Sequence, residues 1–175
     1  MDKQSLRKRI IAKRLELSSD EVASKSNIVC AKVLKMPEYK ASKVVYLYYP
    51  VNNELDVRPI MEDCIKAGKI MAFPKVEKGD IYFYTVKSLD DFAPGKFNIP
   101  EPVGKELAPE PDMIIVPGVA FSNDGMRVGY GGGFYDRFLS NCHVHSVGVC
   151  YSLQLLTSVP SMSHDQRLDE IVYDE

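Results

Sequence analysis

At 175 residues, 45% hydrophobic and 26% charged, the chain has the length and balance of one folded globular domain, able to bury most of its apolar surface without disulfides or a structural metal. Its formal charge of −2, from 22 basic and 24 acidic side chains, excludes a general nucleic-acid binder, whose affinity rests on a basic surplus, so an anionic ligand has to be met by local groups. The longest apolar runs, such as Met113–Val116 and Val147–Cys150, are far too short to cross a bilayer of about 30 Å, and no low-complexity stretch or linker divides the chain.

The first fourteen residues are basic, with Lys3, Arg7, Lys8, Arg9, Lys13 and Arg14. Leu6, Ile10 and Leu17 give them the spacing of an amphipathic helix without a cleavage boundary, so a cytoplasmic location is expected rather than an organellar presequence. Two helices are predicted, over 2–17 and 20–35, the second capped by Ser18 or Ser19 and the pair closed by Met36-Pro37. Lys43–Tyr49, β-branched and aromatic, reads as a strand that stops at Pro50 and leaves Asn52, Asn53 and Glu54 at its C-terminal end. Val57–Ala67 is helical up to Gly68, and Lys69–Phe73 resumes a short strand ending at Pro74, a βαβ pattern that predicts parallel pairing.

Residues 80–86 form a further strand, and Asp90–Pro111, broken by Pro94, Gly95, Pro100, Pro102, Gly104, Pro109 and Pro111, is expected to be largely irregular. Met113–Pro117 has the composition of a buried strand, Phe134–Leu139 begins a helix, and Val144–Cys150 returns as a strand. The tail offers a short helical piece around Leu153–Leu156, a loop from Val159 to Arg167, and an edge strand over Glu170–Tyr173. The whole is an α/β pattern with a mainly parallel sheet. Cys30, Cys64, Cys142 and Cys150 lie in mostly apolar runs without a CxxC, as buried reduced thiols do, and the cluster Cys142, His143, His145 and Cys150 fits no common zinc spacing.

The chemistry concentrates in Arg127–Asp136, RVGYGGGFYD. Four glycines in five positions permit positive φ and close backbone approach to a ligand, and free N–H groups at a following helix start attract phosphate. Alone, such a cluster is more often a flexible turn between strand and helix, and neither GxxxxGK[ST] nor GxGxxG fits, since Phe134 stands where the last glycine would be. The flanks favour a ligand: Arg127 can pair with phosphate, and Asp136 can hold Mg²⁺. No GxSxG elbow or other covalent nucleophile is evident.

The run Pro117–Leu139, PGVAFSNDGMRVGYGGGFYDRFL, resembles the signature of 5-formyltetrahydrofolate cyclo-ligases, also called methenyltetrahydrofolate synthetases. Further matches lie at Lys3–Arg7, Tyr49–Glu54, Asn98-Ile99-Pro100-Glu101-Pro102 and His164–Asp169, so that the resemblance covers nearly the whole chain. It implies a single three-layer α/β/α domain, a monomer, that uses ATP and Mg²⁺ to cyclise 5-formyltetrahydrofolate to 5,10-methenyltetrahydrofolate through a phosphorylated formyl group. By the same resemblance ATP is contacted by Lys3, Gln4, Ser5, Leu6 and Arg7 and by Arg127, Val128, Gly129, Tyr130, Gly131, Gly132, Gly133, Phe134 and Tyr135. The folate falls to Tyr49 and Glu54 with Tyr130, Gly131, Gly132, Gly133 and Phe134; the magnesium falls to Asp136 and Asp165; Arg127 and Glu54 are the catalytic pair.

Some of these have a physical counterpart in the residues, whereas the metal role of Asp165 rests on the resemblance. Lys3 and Arg7 share a helical face, Glu54 lies at a strand C-terminal end where open α/β sheets bind ligands, and Tyr48 and Tyr49 point to opposite faces, so one can present its ring to a planar ligand. Asn98 stands where the family's loop is expected to carry glycine, and asparagine tolerates the left-handed backbone such a glycine would adopt. Similar α/β layers also host sugar-phosphate isomerases and acyl-CoA transferases, and a nucleotide- or folate-binding regulatory module would need the same loop. Consumption of ATP in the presence of folate separates these readings.

Overall fold

The computed structural model describes all 175 residues. Helix α1 (Lys3–Leu15) begins at Asp2, whose carboxylate accepts the Ser5 N–H at 2.8 Å, and α2 (Ser19–Leu34) begins at Ser18 in a reciprocal capping box with Glu21. A short α3 (Pro37–Ala41) leads into β1 (Val44–Tyr46), then α4 (Arg58–Ala67), which ends at the left-handed Gly68. Strands β2 (Ile70–Glu77) and β3 (Asp80–Val86) form a hairpin whose two-residue turn holds Lys78 and Gly79 at positive φ.

Next come β4 (Phe92–Ala93), β5 (Glu101–Pro102), β6 (Met113–Val116), β7 (Ala120–Ser122), β8 (Arg127–Val128) and α5 (Phe134–Ser140). The chain closes with β9 (His145–Cys150), β10 (Leu155–Leu156) and β11 (Glu170–Tyr173).

The main sheet runs β11-β9-β6-β1-β2-β3, and every neighbouring pair is parallel except the β2–β3 hairpin. On one face Val29 and Val33 of α2 and Ile60, Met61 and Cys64 of α4 pack with Val45, Met71, Ile115 and Val147. On the other, Ile114, Val116 and Phe83 meet Phe138 of α5. The α/β/α layering and the mainly parallel sheet are as expected. No helix is long and apolar enough to cross a membrane.

Local departures have plain causes. β2 continues through Pro74, because β1 runs alongside β2 only as far as Ala72 and the missing proline N–H faces an edge with no ladder to complete. The strand expected over 43–49 is regular only for Val44–Tyr46, after which the chain turns and the Tyr48 hydroxyl donates to the Leu55 carbonyl at 2.6 Å. The proline-rich stretch is not wholly irregular: β4 and β5 pair antiparallel around a 3₁₀ turn at Lys96–Asn98. The helical piece expected near Leu153 is a 3₁₀ turn, Ser152–Gln154, followed by β10, which pairs with β7 in a second small sheet, β10-β7-β8, that sequence patterning does not reveal. Three cysteines are buried as expected, whereas Cys142 is only half-buried.

That second sheet supports the glycine segment, and it is joined to the main sheet where Phe121 of β7 packs on Gly148 of β9. A Cβ added at Gly148 would stand 2.7 Å from Phe121, 2.8 Å from Leu168 and 2.9 Å from Ile171. Gly148→Ala is therefore expected to cost about 1–3 kcal/mol of stability, the usual penalty of overpacking a filled core. Urea unfolding checks it, and an unchanged midpoint would contradict this close approach.

Candidate active site

The site is assembled around one face of α1. Leu6 and Ile10 are buried against Val119, Ala120 and Val128, which fixes the helix on the small sheet. On the same side Lys3 Nζ pairs with Asp165 Oδ2 at 2.6 Å, Arg7 Nε donates to the Gly129 carbonyl at 2.7 Å, and Arg14 Nη1 donates to the Tyr130 hydroxyl at 2.8 Å. One helix thus touches the C-terminal loop and, twice, the glycine loop.

Between these elements, at the C-terminal ends of β1 and β6, lies a cavity of about 460 Å³, the size of a small-molecule site. Its floor holds Arg127, which is 6% exposed. Arg127 Nη1 donates to the Pro117 carbonyl at 2.8 Å and its guanidinium lies 5.3 Å from the Tyr135 ring centroid, but its buried Nε has no partner. Burial draws its pKa down, opposed mainly by Asp136; an arginine stays charged nonetheless. A buried cation with an unused donor favours an anion in the cavity. Gly129 leaves room for it: a Cβ there would lie 2.7 Å from Arg127 Nη1 and push the guanidinium aside.

Glu54 lines the same cavity and is 8% exposed; its Oε1 accepts the Val51 N–H at 2.8 Å and its Oε2 accepts the Tyr130 hydroxyl at 2.7 Å. Burial raises its pKa, although the Val51 N–H, the Tyr130 hydroxyl and the Arg14 charge all act to lower it. A carboxylate oxygen accepts more than one hydrogen bond, so both oxygens keep capacity for ligand N–H groups. Tyr49 also lines the cavity, its ring edge-on to Phe92 at 4.8 Å.

Asp136 and Asp165 line the same cavity with Lys3 and Arg7. Asp136 Oδ1 accepts the Gln166 N–H at 3.0 Å, and Asp165 Oδ2 accepts from Lys3 and from the Met162 N–H at 2.8 Å. Burial would raise the Asp165 carboxyl, but Lys3 and Met162 outweigh it and hold the pKa below the ordinary value. Asp136 Oδ2 has no hydrogen-bond partner, and Asp165 Oδ1 has only His164 Nε2 near it, at 3.5 Å. Two carboxylates beside a cationic anion site are a donor set that fits Mg²⁺, which takes one or two carboxylates and completes its shell with phosphate and water.

A scan against protein-family models matches residues 1–174 to the 5-formyltetrahydrofolate cyclo-ligase family. The chain belongs to that family. The NMR structure of Aquifex aeolicus 5,10-methenyltetrahydrofolate synthetase superposes with a TM-score of 0.89 at 38% identity, over 100% of this chain and 91% of that one. The Mycoplasma pneumoniae 5,10-methenyltetrahydrofolate synthetase superposes at 0.80 and 28% identity over 100% of both. The mouse 5-formyltetrahydrofolate cyclo-ligase is 26% identical over 99% of this chain and 94% of its own.

As a cyclo-ligase the chain is an enzyme of the ligase class, which sets aside the isomerase, transferase and regulatory-module readings. Of the residues that the resemblance singled out, Lys3, Arg7, Tyr49, Glu54, Arg127, Gly129–Asp136 and Asp165 line the one cavity. Four lie outside it: Gln4 and Ser5 project to solvent, and Leu6 and Val128 are buried anchors of α1 on β8. Asn98 takes φ +58 as expected for a glycine substitute; its neighbour Phe97 also takes φ +58, leaving an aromatic ring 70% exposed at the cavity rim. Sequence reasoning passed over Phe97 and, more consequentially, Arg14, although Arg14 sits seven residues after Arg7 and so on the same helical face.

Glu54 also sets a pH dependence. Between the ordinary glutamate value, about 4.3, and its raised folded value, the folded protein holds a proton that the unfolded chain has released, so this group's contribution to stability falls as pH rises. Glu54→Gln removes that dependence. The melting temperature of the variant relative to the parent is expected to climb as the pH rises above the ordinary glutamate value; a difference that stays constant would mean that burial does not penalise the Glu54 charge.

Proposed function

We propose that this chain catalyses the ATP-dependent conversion of 5-formyltetrahydrofolate to 5,10-methenyltetrahydrofolate with release of ADP and phosphate. The observation that carries this reading is the meeting, in one cavity, of a buried arginine with an unused donor, the glycine loop, and a buried carboxylate. The first two suit a polyphosphate and the last a pterin ring, whose adjacent N–H groups match a carboxylate with free lone pairs. Family membership supports the folate substrate.

In this mechanism the formyl oxygen of the folate attacks the γ-phosphorus of ATP and the bond to ADP breaks. N10 then closes on the formyl carbon, the carbon–oxygen bond breaks as phosphate departs, and the N10 proton is released. ATP converts a poor leaving oxygen into a good one. The protein has to align the two substrates and offset phosphate charge, and it needs no covalent nucleophile. Lys3, Arg7 and Arg127 supply the positive charge, with Arg127 the least hydrated and so electrostatically the strongest of the three. Asp136 and Asp165 would hold Mg²⁺, which neutralises phosphate oxygens. Glu54 orients the pterin, and Tyr49 offers its ring to the planar system.

Purified protein given ATP, Mg²⁺ and 5-formyltetrahydrofolate is expected to form the methenyl chromophore and ADP in equal amounts; absence of both would overturn the reading. Asp136→Asn is expected to lose roughly 10²–10³-fold in Mg²⁺-dependent turnover with its thermal melt little changed. Unchanged turnover would remove Asp136 from the metal site.

A further inference from the structure

Glu54 and Tyr130 belong to loops that the proposed reaction gives to different substrates. Glu54 lies in the turn after β1, on the folate side; Tyr130 interrupts the glycine loop, which the proposed reaction sets against the polyphosphate and the resemblance extends to the folate as well. Their side chains nevertheless meet, Tyr130 Oη donating to Glu54 Oε2 at 2.7 Å. The same hydroxyl accepts from Arg14 Nη1 at 2.8 Å, so one proton and one lone pair are committed in opposite directions and the phenol cannot rotate away without losing a charged partner.

Arg14 is 1% exposed, and it is also tied to the turn that carries Glu54. Its Nε donates to the Asn52 carbonyl at 3.1 Å, while Asn53 Nδ2 donates back to the Arg14 carbonyl at 3.1 Å and to the Leu17 carbonyl at 2.9 Å. Asn52 and Asn53 sit at φ +52 and +60, a left-handed pair that persists only where its surroundings dictate it. The C-terminal end of α1 therefore fixes the backbone under Glu54 and, through the phenol, the Glu54 side chain.

A buried arginine this close to a buried glutamate would ordinarily pair with it directly, in a fork occupying both oxygens. Here a neutral hydroxyl is interposed. One Glu54 oxygen is engaged by the phenol and the other by the Val51 N–H, and each keeps a lone pair for a ligand. We infer that Arg14 and Tyr130 are the positioning pair of Glu54: they hold its carboxylate with free lone pairs turned into the cavity, for recognition of the folate ring. This rests on the folate-side role proposed for Glu54.

The groups facing Glu54 are Arg14 from α1, Tyr48 from the end of β1, Tyr130 from the glycine loop and Tyr135 from α5, and Arg14 is the cation among them. Removing the Tyr130 hydroxyl takes away a bond that favours the ionised carboxylate. The pKa of Glu54 then rises, and the acid limb of folate kcat/KM moves to higher pH.

Tyr130→Phe keeps the ring and removes the link. Its KM for 5-formyltetrahydrofolate, and the Kd of that folate by calorimetry without ATP, are expected to rise roughly ten- to hundredfold, by a larger factor than the KM for ATP. Arg14→Lys, which keeps the charge but cannot reach Asn52 and Tyr130 together, is expected to shift the same quantities less. In a Glu54→Gln background the Tyr130→Phe effect on folate affinity is expected to disappear, a coupling that a merely structural ring would not produce. Folate affinity and pH profile unchanged in Tyr130→Phe, or an ATP KM raised as much as the folate KM, would overturn the inference and leave the proposed reaction standing. Failure of the parent protein itself to bind the folate would overturn both.

Discussion

The position of α1 is the constraint on which the site depends. Lys3, Arg7 and Arg14 follow one another at spacings of four and seven, and so line one stripe of a helix over about 16 Å. Leu6 and Ile10 lie beside that stripe and are buried on the small β10-β7-β8 sheet, so the apolar packing of two residues sets the reach of three cations. At its N-terminal end the helix meets Asp165, in its middle the Gly129 carbonyl, and at its C-terminal end Tyr130 and Asn52. These contacts gather loops far apart in sequence, and without the helix the glycine loop and the Glu54 turn would have no common reference.

The second determinant is burial of charge. Arg127 and Glu54 are each more than nine-tenths removed from solvent, at a desolvation cost that a hydrophobic pair would avoid. Arg127 is not fully satisfied within the protein, since its Nε has no partner, and the raised pKa of Glu54 records the same strain from the carboxylate side. Such deficits are tolerated where a ligand completes them. Both groups line one cavity, so that in the proposed reaction phosphate charge develops against a cation already stripped of water while the pterin is held by a carboxylate already oriented.

Much of this was legible in the sequence, and the parts that were not share a cause. The helices, the βαβ pattern and the parallel sheet follow from local periodicity, and Arg127, Glu54 and Asp136 stand out because their residue types sit at strand ends or beside glycines. The extension of β2 through Pro74 was hidden because it depends on which neighbour ends first. The β7–β8–β10 sheet was hidden because its strands of two or three residues carry no periodic signal. Arg14 looked like one more solvated base on a basic helix. Its burial follows only from the fold, which brings Tyr130 and Asn52 over it. Leu6 and Val128 show the converse: they lie within recognisable motif segments, yet their side chains anchor the site rather than enter it.

The central claim is that the formyl oxygen is carried away on the γ-phosphate of ATP. A single turnover with ¹⁸O in the formyl group of 5-formyltetrahydrofolate, with the released phosphate analysed by mass spectrometry, tests it most directly. One labelled oxygen per inorganic phosphate is the predicted result. Methenyl product accompanied by unlabelled phosphate would contradict it.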